Sequence, residues 1–105
     1  MGDAYSLVRQ AIINRQQIIA NYQGYRREMC PHVLGRKNGR SMELFYQFGG
    51  GSSNGLGRDG SGENWRCIPV SGLSDIVIRD GKWHTAPTHS RRQTCIEIID
   101  VEVSA

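Results

Sequence analysis

Arginines set beside aromatic residues are the part of this sequence most able to do chemistry. Arg26, Arg27, Arg36, Lys37 and Arg40 gather around one expected hairpin, and Arg66 adjoins Trp65. A guanidinium is a planar fork that grips a phosphate through two parallel hydrogen bonds, and an exposed aromatic face stacks on an unpaired base. The chemistry is recognition of a nucleic acid or nucleotide, and its candidate residues are Arg27, His32, Tyr46, Gln47, Trp65 and Arg66. The structural alternative has Tyr46 and Trp65 filling a core, with the arginines as solvated charges that discourage strand addition at an edge.

Other constellations carry less. Cys30 and His32 share one face of an expected strand, and Cys67, His84, His89 and Cys95 could converge on them. Structural zinc is usually marked by paired C-x₂₋₄-C spacings, which this chain lacks, so no metal site is assigned. The same cysteines and histidines could form a nucleophile–base pair. Without a nucleophile elbow, and in a domain with little room for a pocket, they read as chance neighbours and the chain as a non-enzyme. Gly55-Leu56-Gly57-Arg58-Asp59-Gly60 spells G-x-G-x-x-G, but a strand rather than a helix follows it. His84, His89, Arg91 and Arg92 lie in a polar crossover able to fold over a phosphate. Met1 to Ser6 fits the loose N-myristoylation pattern, which an ordinary start also satisfies.

The bulk properties bound the answer. At 105 residues there is room for one domain, residues 1–105, with a thin core that docking on another chain would reinforce. A formal charge of +3 is compatible with a polyanionic partner without requiring one. An odd cysteine count, Cys30, Cys67 and Cys95, with no secretory apolar stretch reads as free thiols in the cytoplasm. No apolar run approaches the ~20 residues of a membrane span. No cofactor is implied.

The elements that must position the arginines follow from periodicity. Tyr5, Val8 and Ile12, flanked by Leu7 and Ala11, predict a short helix capped by Asp3 or Ser6 and closed at Asn14-Arg15. From Gln17 the period becomes two: a strand to Tyr22, a turn at Gly24, and a second strand over Arg26–Leu34. Pro31 makes that second strand either an edge or bulged. Lys37-Asn38-Gly39 predicts a tight turn into a strand over Ser41–Phe48, with Met42, Leu44, Tyr46 and Phe48 on one face. Seven of the sixteen residues from Gly49 to Asn64 are glycine, which predicts a flexible loop. Strands follow over Trp65–Val70 and Ile76–Arg79. In the last, Thr94–Val103, a bulge near Ile98-Ile99 would bring both apolar sets to one core. One helix and about six short strands suit a small, strongly bent barrel.

The order of several short motifs resembles the WYL domain family, in its short or standalone form. They are Ile18-Ile19-Ala20-Asn21-Tyr22, Arg27-Glu28, Cys30-Pro31-His32-Val33-Leu34-Gly35, Lys37-Asn38-Gly39, Tyr46-Gln47, Trp65-Arg66 and Val70-Ser71-Gly72-Leu73-Ser74-Asp75-Ile76. The likeness spans roughly residues 10 to 80. It implies an Sm-like or SH3-like β-barrel serving as a sensory module in bacterial transcription regulation, with nucleic acids or nucleotides held by basic and aromatic side chains. The chain departs from the family at Met42-Glu43-Leu44, near where the naming tripeptide falls, at Pro69, where a basic residue is frequent, and at Ser71-Gly72, where an Asp-basic pair is common. The expectation is a non-enzymatic binding module that relays its ligand to a protein partner. The alternative is a structural protein that self-associates or docks through its barrel edge.

Overall fold

Asp3 and the apolar stripe behind it set the one α-helix among the described residues of the computed structural model, which are 3–52, 55–58, 60, 62–86 and 95–103. Helix α1 is Ala4–Ile13; the Asp3 carboxylate accepts a hydrogen bond from the Ser6 amide at 2.7 Å, satisfying a first-turn donor. Asn14 closes the helix, and Arg15 turns the chain away at a φ of 50°. Val8, Ala11 and Ile12 are buried and join Ile18, Met29, Leu34, Phe45 and Ile68 in the principal core.

The chain is mostly β, as its period-two runs predict. The strands are β1 (Gln17–Tyr22), β2 (Tyr25–Lys37), β3 (Arg40–Gly50), β4 (Trp65–Pro69), β5 (Ser74–Arg79) and β6 (Ile98–Glu102), with one 3₁₀ turn before β4 and another after it. They form an antiparallel sheet of order β4-β3-β2-β1-β5, with β6 also paired to β2. The sheet is not closed: β4 and β5 are its ends. Both two-residue hairpin turns, Gln23-Gly24 and Asn38-Gly39, have φ positive at each position, the twist that matches the flanking strands.

Strand β2 organises the fold. β3 runs along one of its edges. On the other, β1 pairs with Tyr25–Met29 and β6 with Val33–Arg36. Pro31 falls between β1 and β6, where no ladder partner asks for the amide hydrogen it lacks. The edge-strand alternative for this stretch therefore fails and the bulge alternative holds, with register shifts against β3 at Glu28/Met29 and Pro31/Val33. The segment after β5 crosses this gap: the Lys82 carbonyl accepts from Gln17 Nε2 at 2.8 Å, and the His84 amide donates to Cys30 Sγ at 3.3 Å. Gly35 is where β6 comes closest, since a Cβ there would lie 2.0 Å from the Ile98 carbonyl oxygen.

Two expectations for the C-terminal part are corrected. β6 does carry an irregularity, between Val101 and Ile99, but it leaves Ile98 69% and Ile99 48% exposed; the buried residues flanking the strand are Ile96 and Val103. The extra residue, Asp100, instead anchors the helix, accepting from the Tyr5 hydroxyl and lying 3.5 Å from Arg9 Nε. The cysteines are not three buried free thiols. Cys67 on β4 is bonded to Cys95 just ahead of β6, with Cα atoms 5.9 Å apart, and Cys30 is buried outside any disulfide. Among the described residues no helix is long and apolar enough to cross a membrane. Met1, Gly2, Pro87, His89, Arg91 and Arg92, on which parts of the sequence reading rest, lie outside the described residues.

Candidate nucleotide-binding site

Side chains opposite one another in an antiparallel ladder point to the same face, so register assigns each candidate residue to a side of the sheet. Met29 faces Gln47, and Phe45 faces Arg66. Arg27, two residues before Met29, follows it onto this face, as Ile68 follows Arg66. That is the face of the principal core, and the two arginines stand where its apolar filling gives way to polar groups. On the opposite face Cys30, Tyr46 and Trp65 align across β2, β3 and β4. There Trp65 and Cys95 pack on a smaller core of Val33, Leu44 and Ile96.

Three of the six candidate residues meet at one opening. Arg27, Arg66 and Trp65 line a pocket of about 320 Å³ between strand β4 and the β1–β2 hairpin, together with Tyr22, Gln23, Ser52, Cys67 and Ile68. Four consecutive residues of β4, Trp65 to Ile68, contribute to this lining.

Arg27 is the unusual group. The residue is only 3% exposed, and none of its ion pairs with an acid appears among the described residues. Its Nη1 donates to Gln47 Oε1 at 3.3 Å, while its buried Nε has no hydrogen-bond partner. The guanidinium carbon sits 5.1 Å from the centre of the Tyr22 ring and 5.7 Å from that of Tyr25, whose electron-rich faces supply part of the missing counter-charge. Burial lowers the pKa of Arg27, and the neighbouring Arg66 charge lowers it further. A buried cation with an orphan donor costs several kcal/mol unless something anionic completes it. Gly50 makes this placement feasible: at a φ of 79°, a Cβ there would lie 2.9 Å from the Arg27 Cα.

Gln47, Tyr46 and His32 hold the site rather than line it. Gln47 is fully buried and spans Arg27 and the loop, donating from Nε2 to the carbonyls of Gly49 and Gly51, each at 2.9 Å. Tyr46 is 0% exposed, so its ring offers no face to a base. Its hydroxyl accepts from the Gly60 amide at 2.7 Å, and its ring meets Trp65 edge-on at 5.0 Å. The His32 ring is buried against Trp65 at 4.8 Å, with Nδ1 2.9 Å from the Cys30 carbonyl oxygen and Nε2 3.0 Å from the Thr85 hydroxyl. These contacts fix the indole in one orientation. Arg66 reaches from β4 to the Gly55 carbonyl at 3.1 Å. Asn64 gathers the same loop, accepting from the Gly57 amide and donating to the Gly57 and Arg58 carbonyls.

The sequence reading missed Tyr22, Gln23, Ser52, Cys67 and Ile68 as members of this lining. A signal was present for the first, since a two-residue turn at Gln23-Gly24 brings Tyr22 opposite Tyr25, two residues from Arg27. Ser52 joins through tertiary folding of the glycine-rich segment, which local spacing does not encode. Among the described residues no three of His, Cys, Asp and Glu gather as a metal site would require. His84 stacks on Phe48 at 4.0 Å, away from the pocket. No family model matches the chain, and neither the curated proteins nor the solved structures compared with it give a match.

Proposed function

We propose that this chain is a non-enzymatic binding module that recognises a nucleic acid or nucleotide at the Arg27–Arg66–Trp65 pocket and relays its occupancy to a protein partner. The observation that carries the reading is the buried Arg27 guanidinium, whose Nε lacks a partner beside a second guanidinium and a half-buried indole. A phosphate oxygen would complete the donor, and the positive charges would draw the anion in. The WYL resemblance, with the Sm-like or SH3-like barrel and the role in transcription regulation it implies, fits this reading. A nucleotide ligand also favours a cytoplasmic setting, against which the Cys67–Cys95 bond stands, since such bonds persist in oxidising compartments.

The test is fluorescence anisotropy with a short 5′-phosphorylated single strand labelled at its 3′ end. Two arginines neutralising phosphate predict a log–log salt slope of about −1.4, so that affinity falls about sevenfold between 50 and 200 mM salt. Arg66→Ala lowers affinity about tenfold and halves the slope. Salt-independent binding, or none at low salt, removes the reading.

A second reading has one observation behind it. β6 pairs with β2 alone among the described strands and presents Ile98 and Ile99 to solvent, an apolar edge able to accept a strand from another chain. Light scattering that finds a dimer dissolved by Ile98→Lys would favour self-association as the principal role.

A further inference from the structure

The Cys67–Cys95 bond runs from the middle of β4 to the segment ahead of β6, and its two ends stand in unlike surroundings. Cys67 is exposed, on an end strand whose ladder partner is β3. Cys95 is half-buried and packs on the smaller core of Val33, Leu44 and Ile96. A thiolate opens a disulfide by attacking one of its sulfurs, and access helps decide which. Cys67 is the end that solvent reaches.

What the bond holds is as uneven. The principal core is filled mainly from α1, β1, β2 and β3 and contains neither cysteine. The bond closes the smaller core, which has three buried residues. β4 and β6 are five residues each, and the pairing of β6 with β2 breaks register between Leu34 and Gly35. Short strands with few supports are the parts of a fold that open locally while the rest stays closed. Breaking the bond therefore loosens β4 and the segment leading into β6 against an intact framework of α1 and β1 to β3. Exposed disulfides are the labile ones, whereas structural bonds resist cellular thiols.

We propose that Cys67 is a modification site for low-molecular-weight thiols and that the Cys67–Cys95 bond is a reversible redox switch. A thiolate forms a bond to Cys67 Sγ as the Cys67–Cys95 bond breaks, and Cys95 leaves as a thiolate that takes a proton from water. A second thiolate attacks the sulfur of the attached thiol, giving a small-molecule disulfide and the Cys67 thiolate. Two thiols are oxidised and one protein disulfide is reduced. Trp65 to Ile68 of β4 form one wall of the pocket, so loosening β4 takes that wall apart. Loss of ligand on reduction rests on the reading of the pocket as the binding site; the thiol chemistry at Cys67 does not. A bond that such thiols open is compatible with a reducing compartment.

The test incubates the oxidised full chain with millimolar glutathione near neutral pH without denaturant, quenches with acid and maps the peptides. The expected result is an opened bond with glutathione on Cys67 in at least about tenfold excess over Cys95. Cys30, 0% exposed and outside any disulfide, is the reference: it should resist alkylation until denaturant is added, in the reduced chain as in the oxidised one. Oxidised glutathione should then restore the bond. A bond that survives the thiol, glutathione on Cys95 instead, or Cys30 alkylated as soon as the bond opens overturns the proposal. By fluorescence anisotropy with the 5′-phosphorylated strand, the oxidised chain should bind and the reduced chain should lose that binding. Equal binding by both forms overturns the coupling to the pocket. No binding by either form removes the nucleotide reading, while the peptide map still decides the thiol site.

Discussion

Opening the Cys67–Cys95 bond is expected to lower the stability of the protein by about 3–4 kcal/mol, the loop-entropy value for a cross-link closing a segment of this length. The two cysteines are 28 residues apart. The bond ties β4 to the segment leading into β6, two strands that each have one ladder partner among the described residues, β3 for β4 and β2 for β6. The smaller core, in which Cys95 and Ile96 pack with Val33, Leu44 and Trp65, is assembled around it. Small domains have about 5–15 kcal/mol in total, so this is a large fraction of the margin. Urea unfolding of the oxidised protein beside the Cys67→Ser/Cys95→Ser double variant measures the effect. Coincident midpoints would show that the bond constrains nothing. Because Cys67 lines the pocket and Trp65 packs in the same small core, the variant is also expected to bind nucleotide more weakly than the oxidised protein.

Raising the pH should destabilise the protein through Glu43, and Glu43→Gln should remove that dependence. Glu43 is 0% exposed and lies across from Leu34 on β2 and Ile68 on β4, on the face that also carries Phe45. Burial drives its pKa well above the ordinary value, outweighing the opposing effect of the nearby His32 and Val33 amides. Neither carboxyl oxygen closes a hydrogen bond with a described residue. The folded protein therefore keeps this proton where the unfolded chain, titrating near 4.5, has lost it. Above that pH the folded state binds more protons than the unfolded one, so stability falls as pH rises, by about 1.4 kcal/mol per unit until the folded group ionises. Below pH 4.5 both states are protonated and the penalty vanishes. Glu43→Gln would therefore be more stable than the parent at pH 7 and equal to it near pH 4, the gap widening with pH until the folded carboxyl ionises. Denaturant midpoints of the two proteins from pH 4 to 8 test this; parallel curves would mean that the carboxyl ionises in the fold.

Glu43 also shows where the sequence stopped being informative. Alternation along β3 correctly aligns Met42, Leu44 and Tyr46, and makes the intervening Glu43 and Gln47 look like a solvent face. Phe45 lies between those two on the same side, and β3 is a central strand covered on both faces, so all five residues from Glu43 to Gln47 are buried. Periodicity reports which residues share a side. It does not report how many layers cover that side.

The helix, the β1–β2 and β2–β3 hairpins and the bulge at Pro31 were legible because each depends on a few adjacent residues: the Asp3 cap, Asn38-Gly39, and the missing amide of Pro31. The cysteine pairing and the exposure of Ile98 and Ile99 were not, because each is decided by strands distant in sequence, whereas the interior Tyr46 matches the structural alternative the sequence offered. Of the candidate site, Arg27, Arg66 and Trp65 were found by residue type and do line one pocket. That Arg27 is the buried member follows from the register of β2 against β1 and β3, which sequence alone does not supply.

The central claim is that the Arg27–Arg66–Trp65 pocket is where a nucleotide phosphate binds, and two-dimensional NMR of the isotope-labelled protein during AMP titration tests it most directly. The account predicts large shifts in the Arg27 Nε–H and Trp65 indole N–H signals, with backbone changes confined to Tyr22–Arg27, Ser52 and Trp65–Ile68. Shifts centred instead on α1 or β6, with the Arg27 Nε–H signal unmoved at saturation, would contradict it.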